Sequence, residues 1–320
     1  MDPDIKIEEI ELSHQKLQPF LVKTPVLPLK IAEDDDFKSV EAKLELFQFA
    51  KSFKTRGTLL AMLDLDQESK ERGVVACSGG NFAIAVAYVS KKLRIDATVV
   101  MPKTASPIRQ KTCRDFGANV VLADRIEDVF HEAQKIANHQ GRTFLHPFEG
   151  KAMTLGAATM AYEFFHQSPG LEVVIAAIGG GGMASGVALA FKLLNPNIRV
   201  IGVEPRGANS MHLSFASGKT EKLKQVDTIA DSLGSPLTEP YSFRLCHQYL
   251  DELVYVEESE MKETMKSLFY DYGLVVEPAC AAGLASAHAA LKQKLQHKKV
   301  GLFFCGSNID LDRFRELTHI

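Results

Sequence analysis

No stretch of this 320-residue chain is apolar for long enough to cross a bilayer. The longest apolar runs, such as Leu171 to Ile178, fall well short of the roughly 20 residues a spanning helix needs. Basic clusters are missing too, and a net charge of −3 gives no pull toward nucleic acid. The five cysteines (Cys77, Cys113, Cys246, Cys280 and Cys305) include no C-x-x-C pair. An odd, scattered set argues against a disulfide framework, and no Cys/His cluster has the spacing of zinc ligands. Most of these thiols read as small buried hydrophobes. The opening Met1-Asp2-Pro3-Asp4 has no basic, apolar leader, so the chain reads as cytoplasmic. Internal repeats, low-complexity segments and a Pro/Gly/Ser-rich linker are absent, and the end soon after Asp310–His319 reads as leaving no room for a regulatory domain. What remains, 46% hydrophobic and 24% charged, is the composition of an ordinary globular protein with core enough for one or two domains.

From Gly73 onward, short β-rich runs alternate with helix-length segments. The predicted strands are Gly73–Cys77, Ala97–Met101, Asn119–Ala123, Thr143–His146, Glu172–Ile178, Arg199–Glu204, Glu252–Val256 and Val300–Cys305. Most are continuously apolar instead of alternating, which is the pattern of parallel strands covered on both faces. Helices are predicted at Phe82–Leu93, Pro107–Phe116, Ile126–Asn138, Ala184–Leu194 and Glu260–Tyr272. Such alternation means a doubly wound α/β architecture. Two domains are expected: a large one from residues 1–70 and 148–320, and a small one, 71–147, inserted into it.

Three segments carry chemistry. Lys54 stands in Ser52-Phe53-Lys54-Thr55-Arg56-Gly57, just ahead of the helix-like stretch Thr58 to Leu65. A lysine amine becomes a nucleophile or base only when desolvated, and Phe53 could wall it on one side. Ser78-Gly79-Gly80-Asn81 lies between a strand and a helix, so its amides suit a carboxylate, and Asn81 suits an N-cap. Gly179-Gly180-Gly181-Gly182-Met183 likewise opens a helix after a strand, where freed N–H groups hold a phosphate. That loop has other readings: a plain tight turn, or a dinucleotide fingerprint Gly179-x-Gly181-x-x-Ala184 with Glu204 as the ribose-binding acid. The NAD reading leaves Lys54 and the asparagine loop without a role. An amine for a Schiff base, a carboxylate loop and a phosphate loop are together the parts of a pyridoxal phosphate site.

In this order the segments resemble the fold type II pyridoxal phosphate enzymes, specifically the serine/threonine dehydratase and serine racemase group. The resemblance spans nearly the whole chain. It includes Thr24-Pro25-Val26, Val100-Met101-Pro102, Val203-Glu204-Pro205, Thr228–Asp231, Glu277-Pro278 and Cys305–Asp310. It implies two doubly wound α/β domains with the cofactor site between them. It implies Lys54 as the Schiff-base lysine and Asn81 as partner of the cofactor's ring hydroxyl. Gly179, Gly180, Gly181, Gly182 and Met183 become the phosphate cradle, with Phe53, Glu277 and Cys305 also at the cofactor. Cys305 would face the pyridine nitrogen; a thiol cannot keep that nitrogen protonated as an aspartate would, which suits elimination. Ser78, Gly79, Gly80 and Asn81 would hold the substrate carboxylate. A divalent cation such as Mg2+ maps to Glu204, Ala208 and Ser210, and a homodimer is implied.

The chain departs from the family pattern in four places. Gly79 replaces the serine that racemases use on the second face, which argues against racemisation. Phe82 replaces a histidine. Ser210 replaces an acid in the cation site, and Gly156-Ala157-Ala158-Thr159 replaces a G-Q-G-T-like segment. The expected activity is a lyase reaction, β-elimination from L-serine or L-threonine to a 2-oxo acid and ammonia. A racemase or 3-hydroxyaspartate dehydratase of the same family stays open, as do an NAD oxidoreductase and an inactive binding protein.

Overall fold

The computed structural model describes residues 5–30, 36–125 and 128–320. Its strands are β1 (Val26–Leu29), β2 (Ser39–Lys43), β3 (Val74–Cys77), β4 (Ala97–Pro102), β5 (Asn119–Ala123), β6 (Thr143–Leu145), β7 (Val173–Ala177), β8 (Arg199–Pro205), β9 (Glu252–Val256) and β10 (Lys299–Phe303). They form a six-stranded sheet ordered β1-β2-β10-β7-β8-β9 and a four-stranded sheet ordered β5-β4-β3-β6. Every pairing is parallel except β1 with β2. The apolar runs explain this: β3 and β7 are buried along their whole length, as strands with helices on both faces must be. The sequence reading began its strands at Gly73 and so missed β1 and β2. Pro28 interrupts one, and Glu41 and Lys43 give the other a surface-like look.

The helices begin with α1 (Ile7–Leu17), α2 (Lys54–Leu63), α3 (Gln67–Arg72) and α4 (Asn81–Leu93). Then follow α5 (Pro107–Asp115), α6 (Asp128–Gln140), α7 (Lys151–Gln167), α8 (Gly182–Leu194) and α9 (Ser210–Ser217). The last are α10 (Pro240–Tyr249), α11 (Glu258–Tyr272), α12 (Pro278–His288) and α13 (Leu311–Thr318). Residues 126 and 127, the predicted start of α6, lie outside the described residues. One difference matters for function: Lys54 is the first residue of α2, not a residue ahead of it. An antiparallel bridge between Ser52 and Gly306 ends the extended chain, and Phe53 N–H donates to the Cys305 carbonyl at 3.0 Å. The start of α2 is thereby pinned to the end of β10.

Helices α2 and α7 cross at two glycines. A Cβ on Gly156 would lie 2.3 Å from Gly57 Cα, so neither helix could carry a side chain there. This accounts for a glycine inside each helix despite its cost of about 1 kcal/mol relative to alanine. The main apolar core runs through both sheets. A smaller cluster, Val75, Cys77, Val100, Ala123, Val129, Ala133 and Ala137, fills the space between α6 and the four-stranded sheet.

Beneath α2 lies a buried ionic network. Arg56 grips Glu45 with two bonds, Nε to Oε2 at 2.8 Å and the terminal nitrogen to Oε1 at 2.7 Å, and stands 3.3 Å from Glu163. Lys43, fully buried in β2, donates to Glu163, to Gln167 at 2.7 Å and to the Thr24 carbonyl at 2.6 Å. Two cations face two anions, so the cluster is neutral. Burial pushes the Glu45 carboxyl up, but the Arg56 guanidinium outweighs it and leaves Glu45 below its ordinary value.

Candidate active site

The carboxyl ends of the parallel strands of both sheets carry the loops singled out from the sequence. Ser78–Gly80 follows β3, the glycine loop follows β7 and Cys305 follows β10. This edge is where open α/β sheets bind ligands. Lys54 sits beside a small cleft lined by Phe53, Gly57, Phe148, Met153, Ala157 and Gly182. The residue as a whole is half-buried, but its amine end is enclosed. Burial draws the amine down to about 8, only partly opposed by the nearby Cys305 and Glu277. Nζ lies 5.0 Å from the centre of the Phe53 ring and donates to the Pro147 carbonyl.

Pro147 belongs to a loop that the sequence reading did not single out. His146 Nδ1 accepts the N–H of Phe148 at 3.3 Å and of Glu149 at 2.9 Å, so its proton resides on Nε2. Burial, with Lys54 nearby, brings this imidazole to about 4 and keeps it neutral. Glu149 in turn accepts from the amides of Tyr241 and Ser242 at 2.7 and 3.1 Å, at the start of α10. The loop that holds Lys54 is thus fixed at both ends. No motif marks it, because its roles are carried by a ring nitrogen and backbone groups.

In the glycine loop, Gly181 is the N-cap of α8 with φ +97°, a conformation that glycine adopts without strain. Cβ atoms on Gly180 and Gly182 would stand 2.5 Å from the Phe148 ring and 2.4 Å from its carbonyl oxygen. The first turn of α8 has no acidic side chain, so its amides and dipole remain available to an anion. Met183 is buried in the next position. An enclosed amine, an aromatic wall and an amide-lined helix start suit a planar ring bearing an aldehyde and a phosphate, so the residues fit pyridoxal phosphate.

Asn81 is the first residue of α4, and the N-cap position falls on Gly80 instead. The Asn81 side chain reaches the loops beside the other sheet. Its Nδ2 donates to Glu277 and, at 3.3 Å, to Ser232 Oγ, and its Oδ1 accepts from Asn308 at 2.7 Å. Ser232 donates to the second Glu277 oxygen at 2.9 Å. Burial raises the Glu277 carboxyl, against the pull of Arg109 and these hydrogen bonds. Arg109 donates to the Asn308 carbonyl at 2.9 Å and pairs with Asp231 at 3.2 Å. Ser232 and Arg109 fall outside the motifs singled out from the sequence, and Asn308 lies within Cys305–Asp310 with no role assigned to it; only the fold shows that they converge.

Ser78, Gly79 and Gly80 are half-buried beside this network. A Cβ on Gly79 would come within 3.2 Å of Pro102, so a side chain there would crowd β4. Phe82 is buried in the main core. A hydrogen bond with Cys280, together with burial, holds the Cys305 thiol well above its ordinary value and keeps it protonated.

Glu204, Ala208 and Ser210 lie apart from this cluster, at the end of β8 and the start of α9. Both Glu204 oxygens are already taken: Oε1 accepts the Met211 amide at 2.9 Å, and Oε2 accepts the His212 amide at 2.9 Å and His212 Nδ1 at 2.7 Å. This occupancy also removes Glu204 from the ribose-binding role of the dinucleotide reading.

Fold and site together fit an enzyme that works with pyridoxal phosphate. Comparison with known proteins agrees. A family model described as "Pyridoxal-phosphate dependent enzyme" matches residues 17–306. The chain is 43% identical over 299 residues to a phenylserine dehydratase from Ralstonia pickettii, covering 93% of this chain and 92% of that one. It is 33% identical to an L-threonine ammonia-lyase from Thermotoga maritima, covering 96% and 77%. The solved structure of maize serine racemase superposes with a TM-score of 0.91 at 30% identity, covering 99% and 98%. The chain belongs to the family of pyridoxal-phosphate dependent enzymes. It has the fold type II architecture, uses pyridoxal phosphate and is a lyase. Among the described residues no helix is long and apolar enough to cross a membrane.

Proposed function

We propose that this chain is a dehydratase of 2-amino-3-hydroxy acids, which removes water and then ammonia to leave a 2-oxo acid. The observation that carries the reading is the enclosed Lys54 amine, drawn to about 8, at an apolar cleft that Gly182 of the glycine loop helps to line. When bound, pyridoxal phosphate supplies an electron sink that acidifies the Cα–H of an amino acid joined to it. Lys54 Nζ takes that proton, and a depressed pKa near working pH leaves enough free amine to do so. The amides of Gly179–Gly182 and the start of α8 hold the phosphate, with Met183 beside them. Phe53 would wall the ring, Asn81, held by Glu277, would meet its hydroxyl, and the protonated Cys305 thiol would stand toward its nitrogen. Backbone amides of Ser78, Gly79, Gly80 and Asn81 orient the substrate carboxylate. Gly79 offers no acid on the opposite face, which favours elimination over racemisation.

L-Serine and L-threonine are the small substrates of this proposal, and 3-phenylserine is the aromatic one. Phe53, Phe148, Met153 and Ala157 offer hydrocarbon to a substituent on C3. The extra carboxylate of 3-hydroxyaspartate is poorly served, because Arg109 is committed to Asp231 and Asn308. Assayed for 2-oxo acid release, threonine and phenylserine should each exceed serine in kcat/KM by about tenfold or more. Turnover of none of the three would overturn the reading, and 3-hydroxyaspartate as the best substrate would overturn the apolar-wall argument. The proposal also treats residues 71–147 as a unit that closes on residues 1–70 and 148–320 to exclude water. It further includes a cytoplasmic homodimer, which sedimentation of the purified enzyme tests.

A further inference from the structure

The cation site implied by the family resemblance does not match the donors present at Glu204, Ala208 and Ser210. Glu204 is fully buried, and a carboxylate can only accept, so His212 Nδ1 must carry a proton toward it. Two amides and one imidazole N–H already occupy three of its roughly four lone-pair sites. Ser210 Oγ, buried without a hydrogen-bond partner, adds only a neutral oxygen where a hard dication needs anionic ones. Among the described residues, no three His, Cys, Asp or Glu side chains are grouped to hold a metal. The His212 ring stacks on Tyr255 at 3.8 Å, and the Arg206 guanidinium, paired with Glu257 at 2.6 Å, lies 4.6 Å from the same Tyr255 ring.

We propose that His212 stands in for the divalent cation, so that this enzyme is held together at Glu204 by an internal N–H donor and needs no metal. The bond has a target in the active site. It fastens the first turn of α9, and Met211 in that turn presses on the glycine loop, where a Cβ on Gly181 would meet Met211 Cε at 2.9 Å. His212 is therefore a positioning residue for the phosphate cradle. This last step rests on the cofactor reading above, whereas the cation response does not.

The test is thermal unfolding and cofactor retention of the holoenzyme with EDTA, Mg2+ or Ca2+. Wild type should melt at the same temperature in all three. A midpoint that falls in EDTA or rises with either cation overturns metal independence. His212→Ala should lower the midpoint and weaken cofactor retention by about fivefold. His212→Gln, which keeps an N–H donor, should recover most of both losses. Wild-type retention in His212→Ala overturns the link to the glycine loop. Equal loss in the two variants assigns the effect to ring stacking on Tyr255 and overturns the donor role.

Discussion

Lys54→Ala should lower 2-oxo acid release by about 10,000-fold or more, because one substitution removes both the cofactor's anchor and the base for the Cα proton. The neighbouring geometry does not offer a replacement. His146 is brought to about 4 by burial and has Nδ1 filled by two backbone amides, so it is a poor proton acceptor at neutral pH. Activity within tenfold of wild type would remove Lys54 from the mechanism. The same lysine has a stability signature in cofactor-free protein. Its folded pKa of about 8 lies below the unfolded value of about 10.4, so between them the unfolded chain binds more protons. Stability should therefore rise as pH climbs through that window, and Lys54→Met should flatten the rise in denaturant titrations.

Arg56→Ala should destabilise the fold by about 3–5 kcal/mol, the range found when one partner of a buried ion pair is removed. Arg56 supplies two of the three side-chain hydrogen bonds to Glu45, Thr24 giving the third, and is the closer cation to it; Lys43 would be left to balance Glu45 and Glu163 alone. The loss should appear as a lower denaturant midpoint with an unchanged slope. Because Arg56 is two residues from Lys54 on α2, folded mutant protein should also show impaired turnover. A midpoint shift equivalent to less than about 1 kcal/mol would mean that the network contributes little.

Much of this was legible before the structure. The apolar runs of β3, β4, β7 and β8 announced parallel strands because burial on both faces leaves few polar positions. Glycine loops at strand-to-helix turns were readable because only glycine tolerates such close approach. Less legible were features whose meaning depends on distant partners. Lys43 and Glu163 look like surface charges in sequence, yet they meet in the interior across 120 residues. Ser232 belongs to no motif and Asn308, inside Cys305–Asp310, has no role that its position in sequence announces, yet both converge on Asn81. His212, which the proposal sets in place of the implied cation, gave no sign in sequence because it matters only where α9 turns its ring back onto Glu204.

The most direct measurement is the absorption spectrum of the purified holoenzyme before and after borohydride, followed by peptide mapping. The account predicts a yellow band that bleaches, with the pyridoxyl group recovered on Lys54. A protein that stays colourless with added pyridoxal phosphate, or carries the label on another lysine, would contradict it.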